Sequence, residues 1–258
     1  MNKTINLLKD YKTLSLRCIR ISLRNPEMII MSVMTPALLM VLFYYLFGSA
    51  MDASHFTTSY INYILAGIVI ITIGQSAATT SVVVCTDIQK GLLDRFSSLP
   101  VARSSFLVGH VVSALVRNVV ATIIVFILAF VLGFRPEAGF VQWLGIIGVL
   151  LLFMLVMTWL CVLFGLLVKS PEAANSMMMF VQVFTYLSSG FVPTHTMPTA
   201  LRLFCEHQPL TRIIETLRAL FFDGGLGGNF PAALIWMTSL LVLGYFFSLR
   251  MFKKRISS

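Results

Sequence analysis

DIQKGLLDRFSSLP, from Asp87 to Pro100, is a short polar stretch between two long apolar runs, and its reading decides the architecture. Taken as a helix, it puts Ile88, Leu92, Phe96 and Leu99 on one face, at spacings of four, four and three. Asp87 is a residue type that caps a helix N-terminus, and Pro100 ends the segment. Lys90, Asp94 and Arg95 lie off the apolar stripe. Such a segment is either a solvated turn between two spans or a surface that hands force to a partner. The flanking sequence must discriminate.

Of the 258 residues, 58% are hydrophobic and only 11% charged. A soluble domain is about 45–50% apolar and about 25% charged, so this chain belongs in a bilayer. The expectation is one all-α transmembrane domain over residues 1–258. Cys18, Cys85, Cys161 and Cys205 form no C-x-x-C pair, so metal-ligand spacing is absent. Three of them fall in or beside apolar runs and read as small buried hydrophobes. Cys205 is expected to face outside, without an intrachain disulfide.

Residues 1–25 are basic and amphipathic. Leu7, Tyr11, Leu14, Cys18 and Ile21 share one helical face, which predicts an interfacial helix along an anionic membrane surface. Asn25-Pro26 breaks it. Six spans are then predicted: Met28–Phe47, Ile61–Cys85, Phe106–Leu132, Val141–Val168, a short Ser176–Phe191, and Pro231–Phe252. The first run is too long for the apolar part of a signal peptide and is read as uncleaved. Residues 192–230 form the longest external segment. Within it Leu210, Ile213, Ile214, Leu217, Leu220 and Phe221 recur with helical period, so Leu210–Phe222 is expected to re-enter the outer leaflet.

The basic residues set the orientation. With both termini inside, fourteen lie on the inner side: Lys3, Lys9, Lys12, Arg17, Arg20, Arg24, Lys90, Arg95, Arg103, Lys169, Arg250, Lys253, Lys254 and Arg255. Four lie outside: Arg135, Arg202, Arg212 and Arg218. This asymmetry predicts a multi-pass protein of the cell membrane with both termini cytoplasmic. It also accounts for the net charge of +9 without nucleic acid.

No acidic residue sits near the middle of any span, so the relay of a proton-coupled carrier is missing. In the third span, His110 reads as structural, whereas Arg117 either snorkels inward or faces a cavity. Gly74-Gln75-Ser76-Ala77-Ala78 lacks the second glycine of a serine-nucleophile turn and reads as helix packing. His195 and His207 read as surface or interface residues rather than a zinc site. No G-x-x-x-x-G-K-S/T sequence occurs, so ATP is not bound by a P-loop.

Three stretches resemble the membrane subunits of ABC-2-type exporters, and are most similar to daunorubicin-resistance-type drug-export permeases. DIQKGLLDRFSSLPVARS (Asp87–Ser104) resembles the family's inner-loop signature. LSSGFVPTHTMP (Leu187–Pro198) resembles its fifth-span exit, and HQPLTRIIETLRALFFDG (His207–Gly224) its outer re-entrant segment. The resemblance implies that Ile88, Lys90, Leu92, Asp94, Arg95 and Phe96 form a coupling helix, over 87–100, that docks on a separate ATPase. It implies a re-entrant segment carrying Ile213, Leu217 and Leu220. It further implies a second permease, identical or not, with the first and fifth spans meeting near Leu39 and Phe184. ATP and magnesium would be held by the partner ATPase, and no cofactor by this chain. The cargo would be a small amphiphilic drug, a lipid-like molecule or a glycan. An ATP-independent carrier or channel is the alternative, and an intramembrane enzyme lacks a convergent nucleophile and base.

Overall fold

The computed structural model describes residues 26–52, 60–91, 104–192, 194 and 197–257. The predicted interfacial helix over 1–25 and the stretch 92–100 lie outside them. Eight helices are described: α1 (Pro26–Asp52), α2 (Tyr60–Gln89), α3 (Ser104–Val131), α4 (Phe140–Leu167), α5 (Pro171–Tyr186), α6 (Thr199–His207), α7 (Pro209–Arg218) and α8 (Phe230–Ser257). A π-helical turn, Ala219–Asp223, extends α7 and ends at Gly224.

Local signals explain the helix ends. Pro171 and Pro209 each open a helix, where a missing N–H costs nothing. Ser170 caps α5 by accepting a hydrogen bond from the Ala173 amide at 3.2 Å. Lys254 and Arg255 lie in the last turn of α8, where cations oppose the helix dipole favourably.

α2 is the axis of the bundle. It packs against α1, α3, α4, α5 and α7, and its side chains from Ile64 to Ala78 are all buried. Small residues let the neighbours approach. A Cβ on Gly67 would lie 2.8 Å from the Gly190 carbonyl oxygen, and one on Gly165 of α4 would lie 2.6 Å from that of Ser81. The Ser81 hydroxyl donates to the Ala174 carbonyl at 2.8 Å and pins α5 to α2. α8 packs on α4 from outside, with the Ser248 hydroxyl donating to the Trp159 carbonyl at 3.3 Å.

The outward faces are apolar. Ile30, Leu38 and Leu42 on α1, Ile123 and Ile127 on α3, Ile147 and Leu151 on α4, and Ile235, Val242 and Phe246 on α8 are exposed. Water would not tolerate such a belt, and hydrocarbon does. The chain is therefore an all-α polytopic membrane protein.

Four of the six predicted spans are matched by long apolar helices. Among the described residues, four helices are long and apolar enough to cross: Tyr60–Gln89, Phe106–Val131, Phe140–Leu167 and Phe230–Arg255. α1 carries the predicted first span, Met28–Phe47, with Pro36 inside the helix. α5 has 16 residues, roughly 24 Å, against a hydrocarbon core of about 30 Å. It begins earlier than the sequence suggests, at Pro171, and stops at Tyr186, just before the buried Ser188, Ser189 and Phe191.

Candidate functional site

At one end of the bundle, α2 runs through Asp87, Ile88 and Gln89. Asp87 therefore does not cap a new helix. Its carboxylate faces His110 Nε2 of α3 at 3.3 Å. His110 is buried and meets Phe106 edge-on at 4.6 Å, and Phe106 stacks on Phe252 of α8 at 5.8 Å. Ile88 is half-buried and packs against the cluster of Val84, Phe106, Leu107, Trp159, Leu166 and Phe252. Part of its side chain is thus taken up by the fold. The Gly91 amide bonds the Ile88 carbonyl at 3.0 Å, and Gly91 takes φ +67°, the left-handed conformation that closes a helix.

The exit of α2 is ringed by cations. Lys90 is exposed. The Gln89 side-chain amide donates to the Lys169 carbonyl at 2.7 Å, and Arg255 Nη2 donates to the Val168 carbonyl at 3.5 Å. These bonds gather Lys90, Lys169, Lys253 and Lys254 at one end, with all four side chains exposed. Of the six residues predicted to couple to an ATPase, Ile88 is partly taken up by the fold and Lys90 faces out. Leu92, Asp94, Arg95 and Phe96 lie outside the described residues.

Midway along α3, Arg117 is buried at 4% exposure. Its guanidinium turns to α2 instead of reaching the helix end. Its Nε and Nη2 donate to the Ser76 carbonyl at 3.3 and 3.1 Å, and Nη2 donates to Thr80 Oγ1 at 2.7 Å. Buried Gln75, Ser113, Asn118 and Thr122 flank this contact. A polar seam thus joins α2 to α3. The sequence reading missed it, although i,i+4 pairs announce it: Ser76 and Thr80 on one helix, Ser113 with Arg117 and Asn118 with Thr122 on the other.

At the opposite end, α5 stops at Tyr186 and frees its last carbonyls, which must find donors. The Tyr60 hydroxyl donates to the Phe191 carbonyl at 3.1 Å, and that of Tyr63 to Ser189 at 2.9 Å. The Gln208 amide and the Cys205 thiol serve the Leu187 carbonyl. Cys205 is buried there, with its thiol on the Leu187 carbonyl. Arg218 closes the site. Its Nε donates to the Tyr63 carbonyl at 3.1 Å, its Nη2 to the Gly190 carbonyl at 3.4 Å, and its Nη1 pairs with Glu215 at 2.8 Å. Its guanidinium lies over the Tyr63 ring, 3.5 Å from the centroid.

Ile213, Leu217 and Leu220 are 2%, 0% and 2% exposed. Their apolar face packs on the bundle core, not on lipid. Outside the bundle, Arg202 bonds Glu206 at 2.7 Å and holds that carboxyl below the ordinary glutamate range. His207 Nδ1 lies 2.8 Å from the Leu203 carbonyl oxygen, and His195 lies outside the described residues. The two predicted sites are therefore not one site. From Tyr63 to Ile88, α2 separates them by roughly 38 Å, with Arg117 between.

Residues 9–222 match the family described as ABC-2 type transporter. The chain is 29% identical over 227 residues to the daunorubicin resistance ABC transporter permease protein DrrB1 of Streptomyces coeruleorubidus, covering 88% of this chain and 79% of that one. It is 25% identical over 178 residues to a protein named "Probable doxorubicin resistance ABC transporter permease protein DrrC" in two strains of Mycobacterium tuberculosis. That match covers 65% of this chain and 62% of the relative, less than two thirds of its length.

Proposed function

This chain belongs to the ABC-2 type transporter family, and we propose that it is the export permease of a complex in which a separate ATPase drives amphiphilic cargo out of the inner leaflet or cytoplasm. Members of this family are membrane transport subunits without an ATPase site of their own, so the energy must enter from a partner.

The observation that carries the reading is the exit of α2. The most buried helix ends in a left-handed glycine, at an exposed rim bearing Lys90, Lys169, Lys253 and Lys254. A partner docked on Leu92, Asp94, Arg95 and Phe96 would push on the one helix that touches α1, α3, α4, α5 and α7. Such a push reaches the Tyr63–Arg218 contact without passing through a loop. Purifying the tagged full chain from its own membranes tests this reading. An ATP-binding-cassette ATPase is expected to come with it in near one-to-one amount. A chain that purifies alone and still moves cargo is an ATP-independent carrier.

Six crossings are proposed, with α1 and α5 completing the four long spans, and α6–α7 forming the outer re-entrant segment. Both termini are cytoplasmic in this arrangement. Labelling of single cysteines from outside intact cells tests it. A cysteine near Asp52 is expected to react and one at Gln89 to stay protected, while the reverse pattern would invert the topology.

A second permease, identical or not, would pair through α1 and α5. Exposed Leu38 and Leu42 on α1, with Phe180 and Phe184 on α5, support that face. Cargo would pass between the two permeases or along this apolar flank. The relatives carry daunorubicin and doxorubicin resistance in their names. Together with the apolar flanks, this favours a drug-like or lipid-like molecule as cargo over a glycan.

A further inference from the structure

A groove of about 510 Å³ runs between α3 and α4 and is open to the surrounding membrane. That is the size range of a small-molecule site, about 300–1,000 Å³. Its walls are aliphatic and aromatic apart from Thr122. Ile123 and Ile127 form the exposed edge on α3, and Ile147 and Leu151 the edge on α4. Hydrocarbon is the medium at that depth, so hydrocarbon fills the groove.

The length of the groove narrows the occupant further. On α3 it extends from Val119, just beyond the buried Arg117, to Phe130 near the helix end. That rise is about 16 Å, and one leaflet contributes about 15 Å of hydrocarbon. The groove thus starts near the midplane and ends at one interface, as a single acyl chain does. A cation stands at its end. Arg135 is exposed in the α3–α4 turn, and its Nη1 donates to the Phe130 and Phe134 carbonyls at 3.3 and 2.9 Å. These bonds hold the guanidinium at the mouth. Their acceptors are neutral, which leaves its charge for an anion.

We propose that the α3–α4 groove seats one acyl chain of a resident phospholipid, with Arg135 over the phosphate. The proposal goes beyond the transport reading and does not depend on an ATPase. A helix from a second copy would fill an apolar groove too, but it has no phosphate for the arginine at the mouth. The lipid is a fixed part of the bundle and wedges α3 against α4, whereas cargo uses the α1–α5 flank.

The test places the photoreactive residue benzoylphenylalanine at Ile147 in the full chain, irradiates intact membranes and weighs the purified protein. Val242, which is exposed on α8 away from the groove, is the reference position. Phospholipid adducts are expected at Ile147 at about tenfold the Val242 yield. Ile127→Trp fills the groove and should bring Ile147 down to the Val242 level. Leu151→Trp does the same from the other wall if the first variant fails to accumulate. Arg135→Gln should deplete anionic lipids from the adducts. Equal yields at Ile147 and Val242 overturn the proposal, and so do adducts that survive both tryptophans. Adducts to a second copy of the chain assign the groove to an interface instead. Loss of the adduct on adding excess daunorubicin makes it a cargo site. None of these readouts uses ATP, so failure here is distinguishable from failure of the transport reading.

Discussion

Phe96→Ala, in a complex with the ATPase, is expected to lower cargo-stimulated ATP hydrolysis and export together by about tenfold, while insertion and expression stay normal. Burying a side chain of this size is worth about 1.5–3 kcal/mol. Losing about 1.4 kcal/mol of it at the docking contact gives that factor of ten. Asp94→Arg is expected to act in the same direction for another reason. It adds a cation to an end that already exposes Lys90, Lys169, Lys253 and Lys254, and so works against the charge pattern that orients a partner. The contrast with Ile88 makes the experiment specific. Ile88 shares the predicted stripe but packs partly against the cluster that holds Phe106 and Phe252, so Ile88→Ala should lower the stability of the permease itself. If Phe96→Ala instead fails to insert, its ring belongs to the fold, as part of the Ile88 side chain does. If both variants export at the wild-type rate, the stretch after Gly91 is not where the ATPase acts.

Gly67→Val is expected to prevent accumulation of folded protein. Its first added carbon would meet the Gly190 carbonyl oxygen at 2.8 Å, and the Gly190 Cα at 2.9 Å. Backbone cannot swing aside as the tip of a side chain can. The contact also holds the break after α5, whose carbonyls depend on Tyr60, Tyr63 and Arg218 at fixed positions. Overpacking of this kind costs about 3 kcal/mol or more, roughly a hundredfold in the folding equilibrium. Gly148→Val is the control, because an added Cβ there meets nothing within 4 Å. Detergent-solubilised yield and thermal stability should fall for the first variant and hold for the second. Equal behaviour would mean that α2 and the Ser188–Gly190 turn are not in contact.

Much of this was legible before any coordinates. Apolar runs of 20 or more residues announce spans because each backbone group must be satisfied within its own helix. The long helices α2, α3, α4 and α8 accordingly lie where the runs of Ile61, Phe106, Val141 and Pro231 begin. The period of Ile213, Leu217 and Leu220 correctly marked a buried face, but period cannot say whether lipid or protein buries it. Asp87 misled because a capping residue type is equally at home in the last turn of a helix. Gly91, two residues beyond the end of α2, was the better boundary signal. The early stop of α5 was hidden because nothing in Tyr186-Leu187-Ser188 forbids a helix. What stabilises the break is a set of donors distant in sequence, Tyr60, Tyr63, Gln208 and Arg218. Arg117 was ambiguous for the same reason. The i,i+4 pairs Ser76/Thr80 and Ser113/Arg117 mark polar faces on two helices, but nothing in either run says that those faces meet.

The central claim is that this chain moves cargo only when a separate ATPase works on it. Its most direct test is reconstitution of the purified permease in liposomes, with and without that ATPase, with daunorubicin as the cargo. The account predicts ATP-dependent movement across the bilayer with both components, and none with the permease alone or with an ATPase unable to hydrolyse ATP. Movement by the permease alone, unchanged by ATP, would contradict it.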